Sequence, residues 1–234
     1  MSELSSCLNK LRYIDEHLTD NASLKERGSL ASDMLEIADE LQRAAVSELE
    51  NLILYKQQVL ESNQYTELFT YYKEKEFWNT DVIIRLIELQ KLGKLQTLNA
   101  FCENNMKFLV LSLVEAIKSD LCRYLYETPI DEGIKSLNYH FSVILDNCPD
   151  ADKESTKTLI EEMKQECGDA YADRIAENKK AEYDELSEEH YNDAYIEQCD
   201  EVLKFVPDNK RALSLKNYFL EQKIEDMENG LDEE

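Results

Sequence analysis

The sequence contains few of the residues that interrupt helices, with five glycines and three prolines among 234 residues. A β-sheet protein of this length needs many tight turns, and tight turns depend on glycine and proline. The prolines, at Pro129, Pro149 and Pro207, all lie in the second half of the chain. This scarcity predicts long helices that are joined by short connections and end near the prolines.

Positive charge is also scarce, because 26 lysines and arginines stand against 50 aspartates and glutamates, for a net charge of −24. Nucleic acids and anionic membrane surfaces are bound by clustered lysine and arginine, so we expect neither as a partner. The chain has no apolar run near the roughly 20 residues of a membrane span, and its first residues lack the apolar segment of a signal peptide. We therefore expect a cytoplasmic protein.

Motifs for catalysis and metal binding are missing as well. The six cysteines form no CxxC pair and no Cys/His cluster, and the three histidines lie far apart in the sequence. No glycine-rich phosphate loop and no nucleophile elbow is present. The sequence therefore predicts a protein that is not an enzyme and that needs no metal and no cofactor.

Apolar residues recur at steps of three and four along most of the chain, which is the pattern of amphipathic helices. The predicted helices cover 4–18, 24–43, 46–75, 80–103, 106–127, 130–147, 151–166, 169–184 and 188–206, with one more after Pro207. The predicted fold class is all-α, an antiparallel bundle of about nine helices.

Four segments, in this order, resemble the 14-3-3 family. They are DMLEIADEL with ELENLILYKQQV at 33–59, IKSDLCRYLYE at 117–127, DEGI at 131–134 and AEYDELSEEHYNDAYIEQ at 181–198. The resemblance implies a 14-3-3-like bundle with a concave groove, related to helical-repeat architecture, over residues 1–206. Residues 207–234 would then be a C-terminal helical extension with an acidic tail.

In that family a phosphoserine or phosphothreonine is held in the groove by a lysine, two arginines and a tyrosine. A phosphate carries up to two negative charges, which guanidinium groups bind with paired hydrogen bonds. The resemblance places Lys56 at the lysine, Arg123 at the second arginine and Tyr124 at the tyrosine. Asp120, one turn before Arg123, is expected to orient the guanidinium.

The chain departs from the family pattern at other positions of the groove. Asn63 stands where the first arginine belongs, so one positive charge is missing. The family's backbone-clamping asparagine falls near 152–158, where the chain has no asparagine. An alternative alignment through HFSV at 140–143 puts His140 at that position, but leaves only 16 residues where a whole helix belongs, so the alignment that keeps this helix is preferred. The apolar wall of the groove is expected from the segment after residue 190, at Tyr195, Ile196 and either Cys199 or Leu203. A register that differs by one residue would instead bring Asp200 and Lys204 into the wall.

These features predict an adaptor that binds phosphoserine- or phosphothreonine-containing peptides of partner proteins, with weakened or altered phosphate recognition. By family behaviour it would be a homodimer through its N-terminal helices. The alternative is a tetratricopeptide-like scaffold for unphosphorylated partners, because residues 199–222 resemble the end of such a repeat. Two further hypotheses are a relative that has lost phosphate binding, and an acidic tail that occupies the groove in place of phosphate.

Overall fold

The computed structural model describes residues 3–17, 24–95, 105–182 and 191–231, and within them the chain is helical and forms no strand. The prediction of an all-α protein is confirmed. Within this part of the chain no helix is both long enough and apolar enough to cross a membrane. The chain divides into two compact units, Met1–Asn105 and Met106–Glu234.

Nine α-helices are described, which we number in chain order. They are α1 (Glu3–His17), α2 (Leu24–Leu54), α3 (Ser62–Lys75), α4 (Thr80–Lys91), α5 (Asn105–Ser119), α6 (Ile130–Asn147), α7 (Lys153–Glu182), α8 (Tyr191–Phe205) and α9 (Lys210–Leu231). A single π-helical turn, Arg123–Glu127, lies between α5 and α6, and a 3-10 turn, Asp150–Asp152, lies between α6 and α7.

The helix boundaries of the first unit differ from the expected ones. Helix α2 continues through residues 43–46, which include neither glycine nor proline, and the chain breaks instead at 55–61. Gln57 has a left-handed backbone there (φ 51°), and the Gln64 side chain accepts a hydrogen bond from the Glu61 amide at the start of α3. Helix α4 ends at Lys91; residue 18 and residues 96–103, also expected to be helical, lie outside the described residues.

In the second unit, α7 is one helix where the sequence suggested two. The predicted break fell at Gly168, yet the helix runs through this residue. A Cβ at Gly168 would lie 2.9 Å from Asn209 Nδ2 and 3.0 Å from a Val206 methyl group. The glycine therefore permits the close approach of the α8–α9 connection to α7, and does not mark a helix end.

The core of the first unit is formed by apolar and aromatic side chains of α1 to α4. Ile14, Leu30 and Ile37 are buried together between α1 and α2. The ring of Tyr72 lies 5.5 Å from that of Trp78, and the Tyr72 hydroxyl donates a 2.5 Å hydrogen bond to Glu50 on α2. This bond joins α3 to the C-terminal end of α2.

The core of the second unit joins α8 and α9 and packs both against α7. The Tyr195 ring on α8 stacks on Phe219 of α9, with ring centroids 5.2 Å apart. Buried Asn209 begins α9: its side-chain oxygen accepts from the Ala212 amide at 2.8 Å, and its side-chain nitrogen donates to Asp169 at 2.8 Å. A domain division at residue 207 stays a prediction; the structure shows there a short connection between two helices that pack together.

Candidate functional site

The residues that carry the family resemblance most closely lie in the π-helical turn Arg123–Glu127. The Thr128 amide donates to the Arg123 carbonyl, five residues earlier, at 3.2 Å. A regular α-helix has a step of four residues, so this turn is wider. Single turns of this type occur frequently at functional sites. The local geometry turns Arg123 towards solvent and Tyr124 towards the interior.

Two side chains of α7 hold this turn in place. The Tyr171 hydroxyl donates to the Tyr124 carbonyl at 3.0 Å, and burial raises the pKa of Tyr171, which keeps the hydroxyl protonated. Arg174 Nη1 donates to the carbonyls of Leu125 at 2.8 Å and Thr128 at 2.7 Å. Carbonyls at a helix end otherwise need water or a capping group, so Arg174 acts as a distant C-cap.

Gly133, in the DEGI segment, lies where α6 passes this turn. An added Cβ would sit 2.6 Å from the Tyr124 carbonyl oxygen and 2.4 Å from the Tyr171 hydroxyl. No side chain fits at those distances without moving the turn or α7. Glycine is therefore required for the contact between α6 and the turn.

Arg123 presents its guanidinium to solvent. Its side chain is 66% exposed, and Nη1 lies 3.8 Å from the Asp120 carboxylate, so the expected orienting pair is present but loose. The second unit contains two other arginines, Arg174 and Arg211, and all three arginines lie within the described residues. Arg174 donates to backbone carbonyls, and Arg211 lies 2.5 Å from Asp173. Arg123 is thus the arginine of this unit whose ion pair an incoming anion would displace most readily.

Tyr124 is 8% exposed, and its ring lies 5.6 Å from the ring of buried His140 at an interplanar angle of 65°. Among the described residues, two α-helices, α6 and α7, lie between the turn and α8. The contact with Tyr124 fits the alternative alignment, which places His140 at the clamp position. At 7% exposure, His140 supports Tyr124 and offers little surface to a ligand.

Two of the expected site residues belong to the other unit. Lys56 lies just after α2, with Nζ 3.4 Å from a Glu48 carboxylate oxygen, and its side chain is 58% exposed. Asn63, near the start of α3, is also exposed. Asp120, Arg123 and all the expected wall residues belong to the second unit. A phosphate pocket that includes Lys56 stays a prediction.

The expected apolar wall lies on α8, and its residues are covered to different degrees. Tyr195 is 3% exposed because it stacks on Phe219, and Cys199 is fully buried. Ile196 and Leu203 are half-buried. Tyr195 and Cys199 therefore pack α8 against its neighbours, and Ile196 and Leu203 have the surface that could contact a ligand.

The cysteines give a testable consequence of this packing. Burial raises the pKa of Cys199 to about 11 and of Cys167 to about 12, whereas Cys122 is exposed. Because the thiolate is the reactive form, we expect iodoacetamide at pH 8 to modify Cys122 at least roughly 100-fold faster than Cys167 or Cys199. Peptide mapping by mass spectrometry, with Cys122→Ser as the control, measures these rates.

The same shifts predict a loss of stability at alkaline pH. A thiol whose pKa is higher in the folded protein favours folding below its unfolded pKa, and this contribution disappears as the pH rises through the folded value. The free energy of unfolding should therefore fall between about pH 9 and pH 11, and less steeply in Cys199→Ala. Equal slopes in the two proteins would contradict the burial of this thiol.

A cavity of about 700 Å³ opens beside the turn, between the start of α6, the C-terminal half of α7 and α8. Its charged lining consists of four carboxylates and three cationic side chains: Asp131, Glu197, Asp200, Glu201, Lys135, Arg174 and Lys204. Lys135 pairs with Asp131 at 2.9 Å and Lys204 with Glu201 at 2.6 Å. The cavity is therefore polar, of mixed charge and close to neutral.

The described part of the acidic tail is helical. Residues up to Leu231 continue α9, which is held on α8 through Phe219, and the Glu225 and Glu228 side chains are exposed. The remaining acidic residues, 232–234, lie outside the described residues. The described stretch therefore belongs to the bundle as a packed helix.

Within the described residues, no group of three or more histidine, cysteine, aspartate or glutamate side chains is placed to hold a metal ion. Comparisons with protein-family models, with curated proteins and with solved structures found no significant match. The resemblance to the 14-3-3 family therefore rests on the four sequence segments alone.

Proposed function

We propose that this chain is an adaptor that binds peptide segments of partner proteins, and that Arg123 reads a phosphoserine or phosphothreonine in them. The observation that carries the proposal is the state of Arg123: an exposed guanidinium, loosely paired with Asp120, on a turn whose Tyr124 and Leu125 carbonyls are held by α7. Guanidinium groups bind phosphate with paired, charge-assisted hydrogen bonds.

The rigidity of the turn supports this role. Tyr171 and Arg174 hold two of its backbone carbonyls and the Thr128 carbonyl that follows it. The Thr128 hydroxyl donates to the Arg123 carbonyl at 2.7 Å. A fixed backbone limits the entropy that Arg123 loses when it binds an anion. The turn therefore presents one preorganised cationic side chain.

Recognition by one arginine is expected to be weak. With Asn63 in place of a second arginine, a phosphorylated peptide gains about 1.5 kcal/mol from the charged contact, which is roughly a tenfold preference. The strongly negative chain also repels a phosphate at long range, and salt screens this repulsion first. The preference for the phosphorylated peptide should therefore increase with added salt until the salt also screens the contact between Arg123 and the phosphate.

The experiment compares two fluorescent peptide pools, one with phosphoserine and one with serine at a fixed position among varied residues. Fluorescence anisotropy gives the dissociation constants for the wild type, for Arg123→Ala and for Arg211→Ala, which removes another exposed arginine of the same unit. We expect a tenfold phosphate preference in the wild type and in Arg211→Ala, and none in Arg123→Ala. A preference that survives Arg123→Ala would show that the phosphate is read elsewhere.

A scaffold for unphosphorylated partners is the second candidate, and the cavity beside the turn favours it. Lys135 and Lys204 are each paired with a neighbouring carboxylate, and Arg174 is bonded to carbonyls, so none of these cations is poised for phosphate. Asp131 and Glu201 form those two pairs, and Asp200 pairs with Lys216. Glu197 is therefore the carboxylate of this cavity that would contact a lysine or arginine of a peptide. Equal binding of the two peptide pools, weakened by Glu197→Lys, would support this function.

The homodimer implied by the resemblance would use the N-terminal helices. Their exposed apolar side chains support such a contact: Leu11 and Tyr13 on α1, and Met34 and Leu35 on α2. Leu35, at 74% exposure, is the position where a charged substitution would test this interface with the least effect on folding.

A further inference from the structure

The solvent-facing side of α9 carries a row of large apolar side chains. Leu213, Leu220, Ile224 and Met227 are 50%, 38%, 56% and 63% exposed. Steps of seven, four and three residues place them on one side of the helix, away from Phe219, which packs into the core. We call these four residues the α9 stripe. Such a row at the surface marks an interaction site.

The spacing of the stripe is that of a coiled-coil seam. With Leu213, Leu220 and Met227 at the d positions of a heptad, the a positions are Asn217 and Ile224. Leucine at d with a β-branched residue at a favours a two-stranded parallel coiled coil. An asparagine at a single a position pairs with its own copy and fixes register and dimeric state.

The charges that flank the stripe are complementary for a second copy of the same helix. Lys216 and Lys223 occupy the g positions, and Glu221 and Glu228 occupy the e positions. In a parallel pair each g residue faces the e residue five positions later in the other chain, which joins Lys216 to Glu221 and Lys223 to Glu228. In an antiparallel pair, lysine would face lysine and glutamate would face glutamate. The pattern therefore selects the parallel arrangement.

We propose that the α9 stripe is a self-association surface, on which two copies of the chain pair as a short parallel coiled coil over residues 213–228. The seam spans little more than two heptads, which is too short for an isolated peptide. Here α9 is already folded and held on α8, so the helix does not have to form on association. The seam is separate in sequence from the N-terminal helices.

The flanking lysines are already fixed near the seam by contacts within the chain. Lys216 lies 2.5 Å from Asp200 on α8, and Lys223 lies 2.5 Å from Asp193. An ammonium group has three N–H donors, so each lysine can also donate a hydrogen bond to a glutamate of the second copy. Glu221 and Glu228 are exposed.

The test is sedimentation equilibrium of the full chain at about 0.15 M salt, with Glu221→Lys/Glu228→Lys compared with the wild type. This variant turns four attractive pairs of the parallel dimer into repulsive ones, and we expect self-association to weaken at least roughly tenfold. The substitutions make the chain less negative, which by net charge alone would favour association. A weaker association would therefore oppose the general charge effect.

Two further variants complete the design. Glu162→Lys/Glu177→Lys makes the same charge change at exposed positions of α7 and should associate at least as strongly as the wild type. By itself, Lys216→Glu/Lys223→Glu should also associate more weakly than the wild type. An equimolar mixture of this variant with Glu221→Lys/Glu228→Lys should restore association, because each charged position then faces the opposite charge on the other chain.

Restored association in the mixture, with the α7 control unaffected, would support the paired seam. Two results would contradict it: a wild type that remains monomeric at several hundred micromolar, and a Glu221→Lys/Glu228→Lys variant that associates like the wild type. Either result would overturn the proposal and leave the stripe to a different protein or to another segment of this chain.

Discussion

Replacement of Gly133 by alanine is expected to lower the free energy of unfolding by about 3 kcal/mol, because the new methyl group has no space. It would lie 2.6 Å from the Tyr124 carbonyl and 2.4 Å from the Tyr171 hydroxyl, two groups that are bonded to each other. Any shift that relieves the clash stretches this buried hydrogen bond, which adds to the cost. Urea unfolding followed by circular dichroism measures the change.

Gly28→Ala provides the control for this prediction. Gly28 lies within α2, and a Cβ there meets no atom within 4 Å. Alanine has the higher helix propensity, so this substitution should stabilise the protein by about 0.5–1 kcal/mol. A neutral or stabilising effect of Gly133→Ala would show that α6 and the Arg123–Glu127 turn are not in close contact.

Arg174→Met is expected to destabilise the protein by about 2–3 kcal/mol, because two carbonyls at the end of the turn lose a charge-assisted partner. Methionine keeps much of the apolar stem, so the loss reports mainly on the hydrogen bonds to Leu125 and Thr128. Arg174→Lys should have an intermediate effect, since one ammonium group replaces a planar fork poorly. Chemical denaturation of the three proteins gives the comparison.

Arg211→Met is the matched control for Arg174→Met. Arg211 forms an exposed ion pair with Asp173, and exposed ion pairs contribute less than about 1 kcal/mol. If Arg174→Met cost no more than Arg211→Met, the role of Arg174 as a distant cap would be wrong. Phosphopeptide binding should also weaken in Arg174→Met, because Arg123 would lose its fixed backbone.

Helix content was predictable from the sequence because the apolar spacing and the lack of glycine and proline act locally. The helix boundaries were harder to predict: α7 continues through Gly168, and the chain breaks at 55–61, where no break was expected. A glycine in a helical pattern signals either an end or a close approach, and only the position of Val206 and Asn209 decides between them. Residues 55–61 contain no glycine and no proline, so the sequence does not indicate that Gln57 has a left-handed backbone there.

Of the candidate site, the sequence pointed to the Asp120, Arg123 and Tyr124 cluster through one short motif. It gave no sign of Tyr171 and Arg174, which lie 47 and 49 residues away from the carbonyls they bind. Long-range contacts of a side chain with a backbone carbonyl leave no spacing pattern in one chain. The burial of Tyr195 and Cys199 likewise depends on how α9 packs, which periodicity alone does not determine.

The ratio of the dissociation constants for a phosphorylated peptide and its unphosphorylated twin tests the central claim most directly. With Arg123 as the phosphate contact, the phosphorylated peptide should bind roughly tenfold more tightly to the wild type and with equal affinity to Arg123→Ala. Equal affinities already in the wild type would contradict the claim and identify the chain as a binder of unphosphorylated partners.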